Sequence, residues 1–100
     1  MKLLTKDIEK RLPKLYSQEN EKDPKIIVKF FTPWSNWTWF AYEGSKQEDG
    51  NWLFFGMVHG IEHEIGYFSL NELENVSGPM GLKVERDKFF GYEHRLSEFK

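Results

Sequence analysis

Four short segments rich in aromatic and β-branched residues follow one another through the middle of the chain, and short polar stretches separate them. Such segments favour strands, because aromatic and β-branched side chains pack well on a pleated surface. The connections between them suit hairpins and are too short for the crossovers that parallel strands need. The pattern therefore predicts antiparallel strands over residues 25–31, 37–43, 52–58 and 63–68.

Helical signals flank this strand region on both sides. Thr5 can cap a helix over residues 5–12, and acidic side chains stand in its first turn. Ser69 and Glu72 match a capping box at the start of a second helix, which is predicted to end near Asn75. The remaining predicted elements are an edge strand over residues 82–86 and a last helical turn over 96–99.

The order of these elements predicts an α+β fold with a central, mostly antiparallel sheet of four or five strands and two or three short helices on one face. A small half-barrel is the alternative. The second and third strands are apolar on both faces, which is typical of a sheet covered on both sides. Gly56 indicates a bulge or a close contact, and Phe89, Phe90 and Tyr92 are predicted to pack back on the core.

Length and composition narrow the class of protein. The 100 residues predict one α+β domain over residues 1–100. Cysteine is absent, which excludes a disulfide scaffold, a thiol nucleophile and cysteine-ligated metal centres. No apolar run reaches the roughly 18 residues of a membrane span, and charges enter the N-terminal segment too early for a signal peptide. We therefore expect a cytoplasmic protein that does not contact membranes.

The aromatic part of the chain is also its acidic part. Residues 31–75 hold 11 of the 17 aromatic side chains, seven acidic residues and a single basic one, Lys46. Proteins that stack nucleotide bases on aromatic rings need basic residues close to those rings. Nucleic-acid binding is therefore disfavoured, although it stays open if the basic ends of the chain fold over the aromatic segment.

The densest polar and aromatic cluster lies between the first two predicted strands. On the functional interpretation it forms a Trp-lined lip, with Trp34 and Trp37 as anchors and Asn36 as a hydrogen-bonding group, because tryptophan is enriched at binding hot spots. On the structural interpretation it is a rigid turn whose indoles close one end of the core. The candidate residues are Thr32, Trp34, Ser35, Asn36 and Trp37.

A second polar cluster consists of Glu85, Arg86 and Asp87. Paired carboxylates beside an arginine can perform acid–base work. On a strand, however, the two carboxylates share one face and Arg86 points to the other. A surface ion pair or a loop clamp is therefore the favoured interpretation.

The sequence gives only weak signals for a metal site and none for nucleophilic catalysis or phosphate binding. His59 and His63 are weak metal candidates, since Gly60 and the neighbouring strand signals favour a solvated hairpin tip. No G-x-S-x-G, G-x-G-x-x-G or Walker A motif is present. We therefore predict no catalytic residue, no metal and no cofactor.

Several motifs occur in a fixed order over nearly the whole chain. They are residues 29–39 (KFFTPWSNWTW), 54–56 (FFG), 66–70 (GYFSL) with 72–74 (ELE), and 78–82 (GPMGL) with 84–87 (VERD). In this order they resemble a bacterial family catalogued as domain of unknown function 2958. The resemblance implies a stand-alone domain that is often carried on plasmids, phages and other mobile elements, and it implies no activity. The polar signature of the family pattern falls at Thr32, Ser35, Asn36 and Thr38 and again at Glu85, Arg86 and Asp87, so we expect the two segments to meet in one site.

These observations favour a non-enzymatic accessory protein that binds another protein through the Trp-lined lip. The alternative is nucleic-acid binding or interference with a nucleic-acid-processing enzyme, and an enzyme with an unrecognised site comes third. We expect a monomer or a weak dimer, in which the edge strand near residues 82–86 would pair with its counterpart.

Overall fold

Hairpin-length connections place strands that are adjacent in sequence side by side in the sheet. The computed structural model describes residues 1–100 and contains five strands. They are β1 (Val28–Phe31), β2 (Thr38–Lys46), β3 (Trp52–His59), β4 (His63–Ser69) and β5 (Glu85–Arg86). The sheet order is β4-β3-β2-β1-β5, and every neighbouring pair is antiparallel. The predicted α+β class and the antiparallel sheet are confirmed.

The strand boundaries differ from the prediction where pairing, rather than composition, decides them. β2 continues to Lys46, because its polar end stays paired with the start of β3. β1 begins at Val28, since Lys25 forms only an isolated bridge with Arg95. β5 is two residues long instead of covering 82–86, because Lys83 bridges to Ser77 instead of to β1.

The two helices are short, and Thr5 and Ser69 cap them as predicted, although at Ser69 the reciprocal bond from the Glu72 side chain that completes a capping box is not formed. They are α1 (Lys6–Arg11) and α2 (Leu70–Asn75). The Thr5 hydroxyl accepts from the backbone N–H of Ile8, and the Ser69 hydroxyl accepts from that of Glu72, each at 3.2 Å. Six-residue helices are unstable alone, so burial of Ile8 and Leu73 against the sheet stabilises them. None of the helices is long or apolar enough to cross a membrane.

Both faces of the sheet are covered, as the apolar pattern of β2 and β3 predicted. The first face packs on the N-terminal segment, α1 and α2, and its buried side chains include Val28, Phe30, Trp39, Ala41, Phe54 and Phe68. The second face packs on the C-terminal segment and its last 3-10 turn (Leu96–Glu98), and its buried side chains include Phe40, Tyr42, Met57, Phe90 and Leu96. Both helices therefore lie on one face, and an irregular segment covers the other.

One core prediction is wrong. Phe90 is buried and Tyr92 packs against Arg11 of α1, but Phe89 is 96% exposed. The Asp87 side chain accepts from the backbone N–H of Phe89, and the Asp87 carbonyl accepts from that of Phe90. This turn directs Phe90 to the core and leaves Phe89 in solvent.

A bulge and a close backbone contact, the two alternatives that the sequence indicated at Gly56, both occur there. A bulge falls between Ala41 and Glu43 of β2, opposite the Gly56–Phe55 step of β3. A Cβ built on Gly56 would overlap the carbonyl oxygen of Phe40. The backbones of β2 and β3 therefore approach each other here as only glycine allows.

We predict that Gly56→Ala lowers the free energy of unfolding by about 2 kcal/mol or more, because the added methyl forces two backbones apart. Gly66 is the cross-strand partner of Gly56, and a Cβ there would meet no atom within 4 Å. Gly66→Ala is therefore the matched control and should leave stability unchanged or raise it by about 0.5 kcal/mol. Urea unfolding measures both, and equal effects of the two substitutions would contradict the close approach.

Asp23 holds the C-terminal turn in place. Its carboxylate accepts from the backbone N–H of Ser97 at 2.8 Å and from the Ser97 hydroxyl at 2.7 Å, while its carbonyl accepts from Arg95. The bond from the Ser97 hydroxyl is the main cause that lowers the pKa of Asp23, and the Ser97 N–H adds to it.

Because the folded state lowers this pKa, the carboxylate stabilises the fold above the unfolded-state pKa of about 3.9, and this contribution is lost as the pH falls through the folded value. We predict that Asp23→Asn destabilises the protein at pH 6 and flattens its loss of stability between about pH 5 and pH 2. Glu48→Gln, in the exposed turn between β2 and β3, serves as the control. Thermal unfolding across that pH range tests the prediction, and parallel curves for wild type and Asp23→Asn would refute it.

Candidate functional site

The turn between β1 and β2 is closed by a buried threonine. The backbone N–H of Thr32 donates to the carbonyl of Trp37 at 3.0 Å, and the Thr32 hydroxyl pairs with that of Ser35. Thr32 is only 4% exposed, whereas Ser35 and Asn36 lie at the surface. Thr32 and Ser35 therefore shape the turn, and Asn36 keeps its amide group free for solvent or a ligand.

The indoles of this turn border a groove of about 480 Å³, here called the Trp groove. Its lining residues are Thr32, Trp34, Ser35, Trp37, Trp39, Val76 and Ser77. Trp39 is buried in the core, Trp34 is half-buried and Trp37 is 41% exposed. The ring centroids of Trp37 and Trp39 lie 6.0 Å apart. The three indoles therefore form one wall of a groove, and Val76 and Ser77, which follow α2 in the chain, line its other side.

Two glycines from distant parts of the chain position the outer indoles. A Cβ built on Gly78 would overlap the ring of Trp34, and a Cβ built on Gly60 would overlap the ring of Trp37. Each indole therefore lies directly against a glycine backbone, where any side chain would collide with the ring. Nothing in the 32–39 segment itself indicates these two partners.

A second groove lies on the far side of Trp37 and is acidic. It has a volume of about 340 Å³ and is lined by Trp37, Val58, Ile61, Glu62 and Glu64. Ile61 is 95% exposed at the tip of the β3–β4 hairpin. Trp37 thus forms a ridge between an indole-lined groove and an apolar surface that carries two carboxylates.

In the second predicted cluster, Glu85, Arg86 and Asp87, two of the side chains bond to other parts of the chain. The Arg86 guanidinium donates to the carbonyl of Lys2, which fixes the N-terminal segment to the sheet. Asp87 forms an ion pair with Lys29 at 3.5 Å. Cross-strand register places Arg86 on the face of Phe30 and Glu85 on the opposite face. The arrangement agrees with the loop-clamp interpretation.

The two predicted polar segments, residues 32–38 and 85–87, are adjacent in the sheet region but line different grooves. Glu85 pairs with Phe31, the residue before Thr32. The residues 85–87 border a groove with Met1, Lys29 and Phe89, while the Trp groove contains none of them. The structure therefore brings the segments side by side without joining their side chains in one pocket.

His59 and His63 close the β3–β4 hairpin as a cross-strand pair. Their rings stack with centroids 3.6 Å apart and an angle of 4° between the planes. Burial lowers the pKa of His59, and repulsion from His63 lowers it further, so the neutral form is favoured. They belong to no group of three or more His, Asp or Glu side chains that could hold a metal ion.

The residues that sequence reasoning missed lie outside the two clusters. Val76, Ser77 and the two supporting glycines reach the Trp groove only through tertiary contacts. Glu43 is a second omission: it is 3% exposed, and its carboxylate accepts from the backbone N–H groups of Tyr16 and Gln18 at 2.8 Å each. A single carboxylate at the end of an apolar strand segment is a signal that could have indicated it.

Residues 3–100 match the family described as protein of unknown function (DUF2958). Because the match covers almost the whole chain, the chain belongs to this family, as the order of motifs indicated. No curated protein and no solved structure matches the chain.

We predict that Gly78→Ala displaces Trp34. The Gly78 backbone is extended (φ −112°, ψ −170°), so alanine is allowed there and the cost comes from the indole alone. Gly78→Ala should lower the free energy of unfolding by about 1–3 kcal/mol in wild type. In a Trp34→Ala background the same substitution should cost less than about 0.5 kcal/mol. Urea unfolding followed by circular dichroism completes this double-mutant cycle, and equal costs in both backgrounds would rule out the contact.

Proposed function

We propose that this member of the DUF2958 family is a non-enzymatic protein-binding module, and that its Trp groove takes an apolar side chain from a segment of a partner protein. The observation that supports this most is the position of Trp34 and Trp37, which pack on glycines and line the groove, Trp34 half-buried and Trp37 exposed. Partly exposed indoles around a cavity are typical of binding hot spots, because a partner can bury a large rigid surface at little entropic cost.

The lining of the groove supports binding rather than proton transfer. It consists of three indoles, one valine and three hydroxyl side chains, and the Thr32 and Ser35 hydroxyls already bond to each other. Such a surface offers apolar contact with few directed polar groups. A hydrophobic anchor with a nearby hydrogen-bonding backbone is the ligand that this surface complements best.

The surroundings of Trp37 indicate the charge of the partner. Glu62 and Glu64 border the adjoining groove, and neither forms an ion pair within the chain. A partner segment with a basic residue next to its apolar anchor would pair with them and gain both association rate and specificity. The same carboxylates repel nucleic-acid phosphates. An accessory role in a bacterium or on a mobile element is part of the proposal and rests on the family resemblance alone.

A peptide selection tests this function with a defined readout. We expect random peptides selected on the immobilised chain to be enriched in an aromatic or aliphatic residue next to lysine or arginine. Trp37→Ala should weaken the selected peptides by about 30-fold, the usual effect of a hot spot of about 2 kcal/mol. Phe89→Ala removes an exposed aromatic residue that lines neither groove, and it should leave binding unchanged.

Two outcomes would count against the proposal, one from this selection and one from a separate titration of the chain with DNA and RNA. Selected peptides that bind Trp37→Ala and wild type equally would place binding elsewhere on the chain. Binding of DNA or RNA that weakens steeply with added salt would instead support the nucleic-acid alternative, because such a slope reports phosphate contacts.

A further inference from the structure

A further cleft, separate from the three grooves described above, lies on the face of the sheet opposite the helices, and its composition differs from that of the Trp groove. It has a volume of about 290 Å³ and lies between the sheet and the segment that follows α1. We call it the tyrosine cleft and define it by Tyr16, Tyr42, Phe55, Tyr67, Glu19 and Glu43, all of which line it. No part of the proposed function uses it.

Four aromatic rings form a continuous series along this cleft. Tyr42 meets Phe55 edge to face at 5.6 Å, Phe55 meets Tyr67 at 4.8 Å, and Tyr67 meets Tyr16 edge to face at 6.5 Å. Tyr16 and Tyr67 are 61% and 51% exposed. The rings of Tyr16 and Tyr67 therefore keep exposed surface in the cleft and are not buried in the core.

The bulge in β2 brings a carboxylate under these rings. Beyond the bulge, Glu43 pairs with Phe55, and Phe55 pairs with Tyr67, so the three side chains form one row across three strands. Both oxygens of the buried Glu43 accept backbone N–H groups, but no cation neutralises its charge. Glu19 and Glu21 add two more carboxylates to the lining, against one lysine, Lys22.

Glu43 also fixes the conformation of the outermost ring. Tyr16 has a φ of 71°, in the left-handed region that non-glycine residues seldom adopt. The bond from its N–H to Glu43 holds the backbone there. The pKa of Tyr67 is raised mainly by the Tyr16 hydroxyl and then by burial, and the charges of Glu43 and Glu19 make smaller contributions.

We propose that the tyrosine cleft binds an organic cation, an alkylated ammonium or guanidinium group, between its aromatic rings and carboxylates. Electron-rich ring faces attract such cations, and neighbouring carboxylates add to the attraction. The volume lies at the lower end of ligand pockets, which begin at about 300 Å³, so it suits a headgroup or one side chain rather than a large molecule. An inorganic cation fits less well, since the Glu43 oxygens are engaged by amides and the cleft has no group of three carboxylate or imidazole side chains that could hold a metal ion.

The cation can be a free small molecule or the end of a lysine or arginine side chain, and a titration of the full-length chain distinguishes them. The probes are tetramethylammonium, Nα-acetyl-Nε-trimethyl-lysine amide, the same residue within a nine-residue peptide, and an uncharged analogue in which carbon replaces the quaternary nitrogen. Backbone amide shifts of Gln18, Phe55 and Tyr67 report binding by NMR. If the peptide binds more tightly than tetramethylammonium, the natural cation is a side chain of a protein. If tetramethylammonium binds as tightly as the peptide, the natural cation is a free small molecule.

We expect the uncharged analogue to bind about tenfold more weakly than the trimethyl-lysine amide, because it keeps the shape and loses the charge. Tyr67→Leu should weaken the cation about tenfold, whereas Tyr67→Phe keeps the ring face and should stay within about twofold of wild type. Phe89→Leu should leave the affinity for the cation unchanged, since Phe89 lies outside the cleft. Circular dichroism checks that each variant is folded.

Equal binding of the charged and uncharged probes would overturn the proposal, as would full affinity in Tyr67→Leu or no saturable shifts at the three reporter amides. Because the Trp groove and the tyrosine cleft share no lining residue, failure of one proposal leaves the other untouched.

Discussion

The register of β2 against β3 is the constraint on which the rest of the structure depends. These two central strands pair over almost their full length, and one bulge after Ala41 shifts the register by one residue. The shift requires Gly56 opposite, where the Phe40 carbonyl leaves no room for a side chain. Because side chains alternate along a strand, a one-residue shift decides which face every later residue of β2 occupies. It places Glu43 beside Phe55 instead of in the core under the helices.

The sheet alone does not account for the stability of so small a fold, because the elements that cover it are short. α1 and α2 have six residues each, and the second face is covered by a segment that ends in a single 3-10 turn. Side-chain bonds to the backbone attach these segments to the sheet. Arg86 holds the N-terminal segment through the carbonyl of Lys2, and Asp23 holds the C-terminal turn through Ser97. Two charged residues from outside the acidic middle of the chain thus attach the covering segments to the sheet.

The Trp groove and the tyrosine cleft are built on the same physical plan. In each, backbone contacts fix aromatic rings whose outer surfaces stay open: glycines support Trp34 and Trp37, and a buried carboxylate sets the backbone of Tyr16. Carboxylates that form no ion pair line the tyrosine cleft and the acidic groove beside Trp37. The two ligands that we propose therefore share a combination of apolar bulk and positive charge.

The sequence by itself determined the elements, since the signals for strands, turns and caps are local. The four central strands, the Thr5 and Ser69 caps, the two-sided apolar pattern and the close contact at Gly56 all follow from residue types within a few positions. The tertiary structure alone decided the sites. Gly60 and Gly78 meet Trp37 and Trp34 from distant parts of the chain. The two predicted polar segments, one in the turn after β1 and the other at β5 beside it, line separate grooves. Phe89 is exposed because the turn at Asp87 points the adjacent rings of Phe89 and Phe90 in opposite directions, Phe90 into the core and Phe89 into solvent. Contacts between distant residues carry no local signal, so only the folded chain shows them.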